Sequence, residues 1–394
     1  MLELLSKEQI QQYNEFCSFV EKYVDPFAAQ WEVEGGITRD IIDKCAKEGF
    51  LGSTMPKEYE GNEWDTLTYG LFTEAVTKSS TSLGGLFNVH TMVMQTILKW
   101  GTDDQKNKWL SSMCKGEILG ALALTEPGAG SDIKGIETKF TMNDDEIVIN
   151  GKKRWITFGG LADVILLFGV TDEENPKPVA CLVEKDTPGL NIIPIDNMLG
   201  FKGSYLAILE FDNCVVKKEN MIAKPGFAFT HIAPYALDYG RVSVFFTALG
   251  ILKGSLEHCC NHAFSRKTFN ARLIEQSTIK EMITKMGTDY EAASHLCISA
   301  CLAKDAQDPN SAEKVMLAKY FTTRAANRHS NNAVQIMGAI GCNENHPVAR
   351  YYRDSKILEI IEGSNQVHEM VLGNRYVRKY RNNKSRIKDI FAQE

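Results

Sequence analysis

A chain of 394 residues, 44% hydrophobic and 24% charged, has an ordinary globular composition and the length for two or three domains. Its 44 Lys and Arg against 50 Asp and Glu leave a net charge of −6, the wrong sign for a dedicated nucleic-acid binder. The most apolar uninterrupted run, Val164 to Val170, is about a third of the ~20 residues a membrane helix needs. The opening stretch Met1–Phe16 has neither a signal core nor an Arg-rich presequence. The expectation is a soluble cytoplasmic protein that binds neither nucleic acid nor membrane.

The first stretch, to about residue 119, reads as helical. Ser6 and Gln9 form a capping box, and Ile10, Tyr13, Cys17, Val20 and Val24 follow at helical spacing. Ile41, Ile42, Cys45 and Phe50 continue the pattern, punctuated by Gly49 and Gly52. The period changes between residues 120 and 226. Glu146–Gly151, Val164–Val170, Val179–Val183 and Ile208–Asp212 read as strands, separated by turn-rich connectors such as Asn143–Asp145 and Thr171–Pro178. From residue 227 the helical pattern returns. Ile279, Met282, Ile283, Met286, Tyr290, Ala293, Leu296, Cys297 and Ala300 make one stripe, and Asp305–Asn310 breaks it before Ser311 and Glu313 open the next helix.

The 10 cysteines are scattered without zinc or CxxC spacing, and read as reduced, mostly buried thiols. His258 and His262 stand one helical turn apart but lack a third ligand in the nearby sequence. They read as an ordinary helix face, and no metal is expected. No GxSxG elbow, HExxH or P-loop is present. Gly128-Ala-Gly130 fails as a dinucleotide fingerprint, because Ile133 stands where glycine is needed.

The same segment, Ala123–Asp132, has its own chemistry. Pro127 fixes one dihedral, the glycines let backbone N–H groups approach a ligand, and Thr125 and Ser131 add hydroxyls. Lys153-Arg-Trp-Ile-Thr157 is expected to place an aromatic and a hydroxyl on one strand face. Leu237–Arg241 is read as opening a helix, Arg266–Asn270 as closing one, and Gln335–Gly338 as ending another; Ile360–Gln366 follows. In this order the six segments resemble the acyl-CoA dehydrogenase family of flavoproteins over nearly the whole chain.

That resemblance implies a mainly α fold with a central β domain: helices over 1–119, a β-barrel-like domain over 120–226 and a C-terminal four-helix bundle over 227–394. It implies FAD between the β and C-terminal domains. Leu122, Leu124, Thr125, Gly130 and Ser131 match the flavin-loop positions, and Trp155 and Thr157 match the pair that covers the flavin. Arg266, Thr268 and Phe269 match positions that hold the ADP half of a neighbouring subunit's FAD. Gln335, Gly338 and Ala339 match the motif on the facing subunit, so a homodimer or homotetramer is implied. Ser364 and Gln366 match cofactor positions after the catalytic segment. Glu362 matches the catalytic base, which removes a thioester α-proton as hydride leaves the β-carbon. Ser131, Asp238, Arg241, Ile361 and Gly363 match positions around the thioester and its entrance. The electron acceptor that reoxidises the flavin is not specified by these residues.

Three positions depart from the family pattern. Ile361 stands where many members have Tyr, Phe158 where Asn or a small residue is common, and Ser277 where Gln is common. Ile361 and Phe158 lead to the expectation of a short acyl group. Tyr352–Lys356, Ile360–Ser364 and Tyr239–Ser243 with Gly250–Leu252 are more similar to a branch acting on acyl groups held by an acyl carrier protein. That branch belongs to polyketide and nonribosomal-peptide biosynthesis, and some members oxidise hydroxy- or amino-acyl units. The basic run Arg375–Lys388 suits docking of an acidic carrier. A CoA thioester of short-chain catabolism is the alternative. A redox-silent relative acting as a scaffold is disfavoured by the retention of Glu362, Thr125, Trp155 and Arg266.

Overall fold

The computed structural model describes residues 2–381. Six helices come first: α1 (Lys7–Tyr23), α2 (Ala28–Glu34), α3 (Arg39–Lys47), α4 (Thr66–Thr77), α5 (Thr81–Trp100) and α6 (Asp103–Cys114). Seven strands follow: β1 (Gly120–Ala123), β2 (Lys139–Met142), β3 (Glu146–Ile156), β4 (Val164–Thr171), β5 (Pro178–Glu184), β6 (Leu190–Pro194) and β7 (Ala207–Lys217). The rest is α7 (Ala233–Ser265), a two-stranded hairpin of β8 (Lys267–Thr268) and β9 (Ala271–Arg272), then α8 (Ser277–Asp305), α9 (Ser311–Met337), α10 (Pro347–Leu358) and α11 (Asn365–Arg381). The expected order of helical, β and helical layers is what the chain forms.

Local signals set several boundaries. Ser6 and Gln9 complete the capping box of α1, and Thr102 with Gln105 does the same for α6. A helix apolar on every side must be buried on every side. That describes α4, buried from Thr66 to Thr77, and α5, buried from Thr81 to Ile97. α5 is packed between α4, α7 and β1, which makes it the axis shared by all three layers. His90 ties it to the sheet: its Nδ1 accepts from Gly120 N–H and its Nε2 donates to Met113 O, both at 3.1 Å. Burial holds that imidazole neutral, with its pKa down to about 4.

β4 is a continuous apolar run because both its faces are covered. Val164, Leu166 and Phe168 pack towards α5 and α6, while Ile165 and Leu167 line the sheet's own interior with Phe140, Ile149 and Val183. β1 and β2 pair in parallel with successive halves of one edge of β4, and β5 pairs antiparallel with the other. β2, β3, β7 and β6 continue the sheet antiparallel.

Two expectations need correction. Leu237–Arg241 does not open α7: the helix starts at Ala233, after a π-helical turn at Ala228–Ile232, so these residues lie in its second turn. The stripe on α8 is buried only from Met286 onward, and there with Leu296 half-buried; Ile279, Met282 and Ile283 are half-buried too. All 10 cysteines are free thiols and seven are buried. No helix among the described residues is long and apolar enough to cross a membrane.

Candidate active site

Because β1 and β2 run one after the other along the same edge of β4, residues 124–138 must leave the sheet between them. A buried ion pair shapes that excursion. Lys153 Nζ, from β3, donates to Glu126 Oε1 at 2.7 Å and to Leu124 O at 2.9 Å. Glu126 also accepts from the backbone N–H groups of Glu137 and Thr138 and from the Thr138 hydroxyl. Burial opposes its charge, but the bonds from Lys153, Thr138 and Glu137 hold its carboxyl below the usual range. The Lys153 ammonium is lowered to about 8 by the same burial. With its base pinned, the loop presents Gly128, Gly130 and Ser131 outward, and a Cβ at either glycine would meet open space. Thr125 is half-buried, while Leu122 and Leu124 turn their side chains into the core under the sheet.

Trp155 and Thr157 do not share a regular strand face. β3 ends at Ile156, and its register against β7 shifts between Lys153 and Ile156. Trp155 occupies that bulge with φ 65°, which throws its indole outward beside the loop, 45% exposed. Arg154 N–H donates to Thr125 O at 2.9 Å, and its guanidinium lies 4.3 Å from the Trp155 ring centre. Phe158 is fully buried, near Gly85 and Phe201 and beside Tyr205.

Glu362 lies on the turn between α10 and α11. It has φ 53° and is followed by Gly363 at 89°. A left-handed non-glycine residue costs about 1–3 kcal/mol and persists only where its surroundings over-determine it. Half-buried Arg241 and buried Lys319 do so: Arg241 Nε donates to Glu362 O at 3.2 Å, and Lys319 Nζ donates to Gly363 O at 2.8 Å and Asn365 Oδ1 at 3.2 Å. Arg241 is itself fixed by Asp238 at 2.7 Å. Asp238 and Arg241 therefore hold the Glu362–Gly363 turn.

The Glu362 side chain reaches α5 and α7. Asn88 Nδ2 approaches its Oε1 at 3.5 Å, while its Oε2 is buried without a partner. Burial raises the carboxyl to about 7, although Arg241, Asn88 and Lys319 all favour its charged form. Burial likewise lowers Lys319 to about 7, opposed by the Glu362 charge. Gly240 is what admits the Glu362 side chain: a Cβ there would lie 2.5 Å from its carboxyl and 2.9 Å from Met92 Sδ. The arrangement is a poised, desolvated carboxylate suited to taking a proton from carbon.

Models of the acyl-CoA dehydrogenase N-terminal, middle and C-terminal domains match residues 6–117, 121–214 and 230–377 in succession. The chain belongs to the acyl-CoA dehydrogenase family. It is 34% identical to the mitochondrial short-chain specific acyl-CoA dehydrogenase of Rattus norvegicus, over 92% of this chain and 88% of that protein. Butyryl-CoA dehydrogenase from Megasphaera elsdenii superposes with a TM-score of 0.90 at 32% identity, covering 95% of this chain and 99% of that one. A further solved structure, FkbI for biosynthesis of the methoxymalonyl extender unit of a polyketide, gives 0.85 at 26% identity, covering 92% and 99%.

The protein is accordingly an FAD-binding oxidoreductase, and its residues fit that cofactor. The outward Gly128–Ser131 loop, the exposed indole of Trp155 and half-buried Thr157 form an open, uncovered shelf. Arg266, Gln335, Gly338 and Ala339 are exposed and Thr268 half-buried; Phe269 is 91% exposed. They stand on the β8–β9 hairpin and the C-terminal end of α9. Ser364 Oγ accepts from Val367 N–H at 3.4 Å at the start of α11, and Gln366 is exposed. Ile361 and Gly363 are half-buried beside the base.

Sequence reasoning missed Asn88, Gly240, Lys319 and the Glu126–Lys153 pair. Gly240 alone left a local trace, as a glycine inside a helix with no cap to make. His258 does meet a further histidine, His346, at 5.3 Å between ring centres, yet no group of three or more metal-ligating side chains is arranged for a metal among the described residues. Neither of two surface hollows touches Glu362. One of about 350 Å³ lies along α9 between Arg324 and Asn332 beside Glu359, and one of about 680 Å³ lies between α2 and the Pro194–Leu206 segment.

Proposed function

We propose that this protein oxidises a short acyl thioester across its Cα–Cβ bond, with Glu362 as the base. The observation that carries this reading is the buried Glu362 carboxyl at about 7, with one oxygen unpaired and its backbone gripped by Arg241 and Lys319. A base poised near neutrality takes the moderately acidic α-proton of a thioester most effectively. By the family resemblance, the Glu362 backbone N–H would polarise the thioester carbonyl. Bound FAD supplies the acceptor for the hydride that leaves Cβ. Thr125, Gly130, Ser131, Trp155 and Thr157 would hold the flavin. Arg266, Thr268, Phe269, Gln335, Gly338 and Ala339 would meet the cofactor across a homo-oligomeric interface, which accounts for a phenylalanine left 91% exposed.

The acyl tether we favour is an acyl carrier protein. The end of α11 offers Arg378, Lys379 and Arg381 in its last turn, and the likeness to FkbI spans nearly the whole chain. The remainder of the basic run, from residue 382, lies outside the described residues. A CoA tether is the second reading, favoured by the higher identity to the short-chain and butyryl enzymes. Anaerobic flavin bleaching, with the same butanoyl group offered as CoA, carrier-protein and pantetheine thioesters, tests both. Preference for the carrier-protein thioester, lost on charge reversal of Arg378, Lys379 and Arg381 and weakened by salt, supports the first. Reduction by butanoyl-CoA alone supports the second. No bleaching by any of them rejects the dehydrogenase reading.

A further inference from the structure

The buried side chain beside the Glu362 carboxyl is an amide, where a plain alkyl chain would call for hydrocarbon. Asn88 is 7% exposed, and its Nδ2 faces Glu362 Oε1 at 3.5 Å while its Oδ1 is buried with no partner. An unpaired amide oxygen in the interior has lost its water without a replacement, a cost relieved only when something donates to it. Its surroundings are polar as well. Thr91 and Met92 share its face of α5, and the buried Tyr69 hydroxyl lies among Thr91, Ser243 and Thr73, close enough to feel the Glu362 charge. Glu362 Oε2, the other unpaired acceptor, is committed to the α-proton. Asn88 Oδ1 has no part in that chemistry.

Resting on the dehydrogenase reading, we infer that Asn88 is a specificity-determining residue that accepts a hydrogen bond from a hydroxyl or amine on the carbon just beyond the oxidised bond. Contact with the base sets the distance. A group that bonds Asn88 while its α-hydrogen meets Glu362 carries its donor on the γ-carbon. For a 4-hydroxybutanoyl thioester the α-proton goes to Glu362 and the β-hydride to FAD. The product is the 4-hydroxybut-2-enoyl thioester with reduced flavin, and the hydroxyl is unchanged. A γ-methyl group in the same place would bury the amide oxygen against carbon, which a site built for a hydrogen bond rejects strongly.

The test uses the FAD-loaded protein and pantetheine thioesters, so its outcome does not depend on the tether. Rates of anaerobic flavin reduction and apparent dissociation constants are compared for 4-hydroxybutanoyl and the near-isosteric pentanoyl thioester, with butanoyl as reference. We expect the hydroxy compound to be favoured over pentanoyl by about tenfold or more in rate over dissociation constant. Asn88→Leu should abolish or invert that ratio, a readout that cancels any change in the common rate from losing the contact with Glu362. Equal use of the two compounds by the wild type overturns the inference, as does an unchanged ratio in Asn88→Leu. If that variant fails to fold, the wild-type pair alone decides. Bleaching by butanoyl with no preference rejects only the role of Asn88, whereas no bleaching by any of the three rejects the dehydrogenase reading and this inference with it.

Discussion

Glu126 and Glu362 are both carboxylates set into the interior, and the protein solvates them in opposite ways. Glu126 receives an ammonium, two backbone N–H groups and a hydroxyl, and its pKa is lowered. Glu362 receives one long contact from Asn88, keeps an unpaired oxygen, and rises to about 7. Burial alone does not make a base, because it acts on both. What separates them is hydrogen-bond satisfaction: the complete shell makes Glu126 a fastener for the 124–138 loop, and the incomplete one leaves Glu362 with an oxygen able to accept a proton.

The sharpest way to break the comparison is to neutralise each carboxylate in turn. Glu362→Gln should keep the fold and bound flavin but slow flavin reduction by about 10²–10⁴-fold, read by stopped-flow bleaching. Near-normal reduction would assign the base elsewhere. Glu126→Gln should act on stability instead. It strands Lys153 in the core, and breaking a buried pair costs about 3–5 kcal/mol in denaturant unfolding, with flavin released early.

A smaller effect is expected from Gly240→Ala. The added Cβ would sit 2.5 Å from the Glu362 carboxyl, so the base must shift. A displacement of this kind costs up to about 10²-fold in turnover. Flavin content and unfolding midpoint should stay close to wild type, since the atom that yields is the end of a side chain. Loss of stability matching the loss of rate would mean that Gly240 serves helix packing rather than the base.

The smallest expected change is a shift in pH dependence. As the proposed base, Glu362 would work only when ionised, so flavin reduction should rise with pH through about 7 and fall away below it. Lys319 stabilises that ionised form and also holds the Gly363 carbonyl. Lys319→Met should therefore move the midpoint of the profile upward, whereas Glu126→Gln should not move it. An unmoved midpoint in Lys319→Met would reduce Lys319 to a support for the turn.

Some of this was written locally in the chain. Ser6 with Gln9 announces the start of α1, and the apolar run at Val164–Val170 announces a strand covered on both faces. The collinear motifs from Ala123 to Gln366 carry the family and the helical–β–helical order, and they single out Glu362 as the candidate base. These are short-range properties, fixed by side-chain type and spacing, and a sequence displays them directly.

What the tertiary structure alone decided is how each of those groups is satisfied. Asn88 meets Glu362 across 274 positions, Lys319 holds Gly363 across 44, and Lys153 closes on Glu126 across 27 with a strand and a turn between them. No periodicity links such pairs, and an asparagine on a buried helix has no local mark that separates a paired amide from an orphaned one. The bulge at Trp155 is likewise a matter of register against β7. The pKa of a buried carboxylate is the balance between lost water and the particular donors that replace it. Those donors arrive from elements distant in sequence, so only the assembled fold determines which glutamate is fully paired and which one keeps an oxygen unpaired.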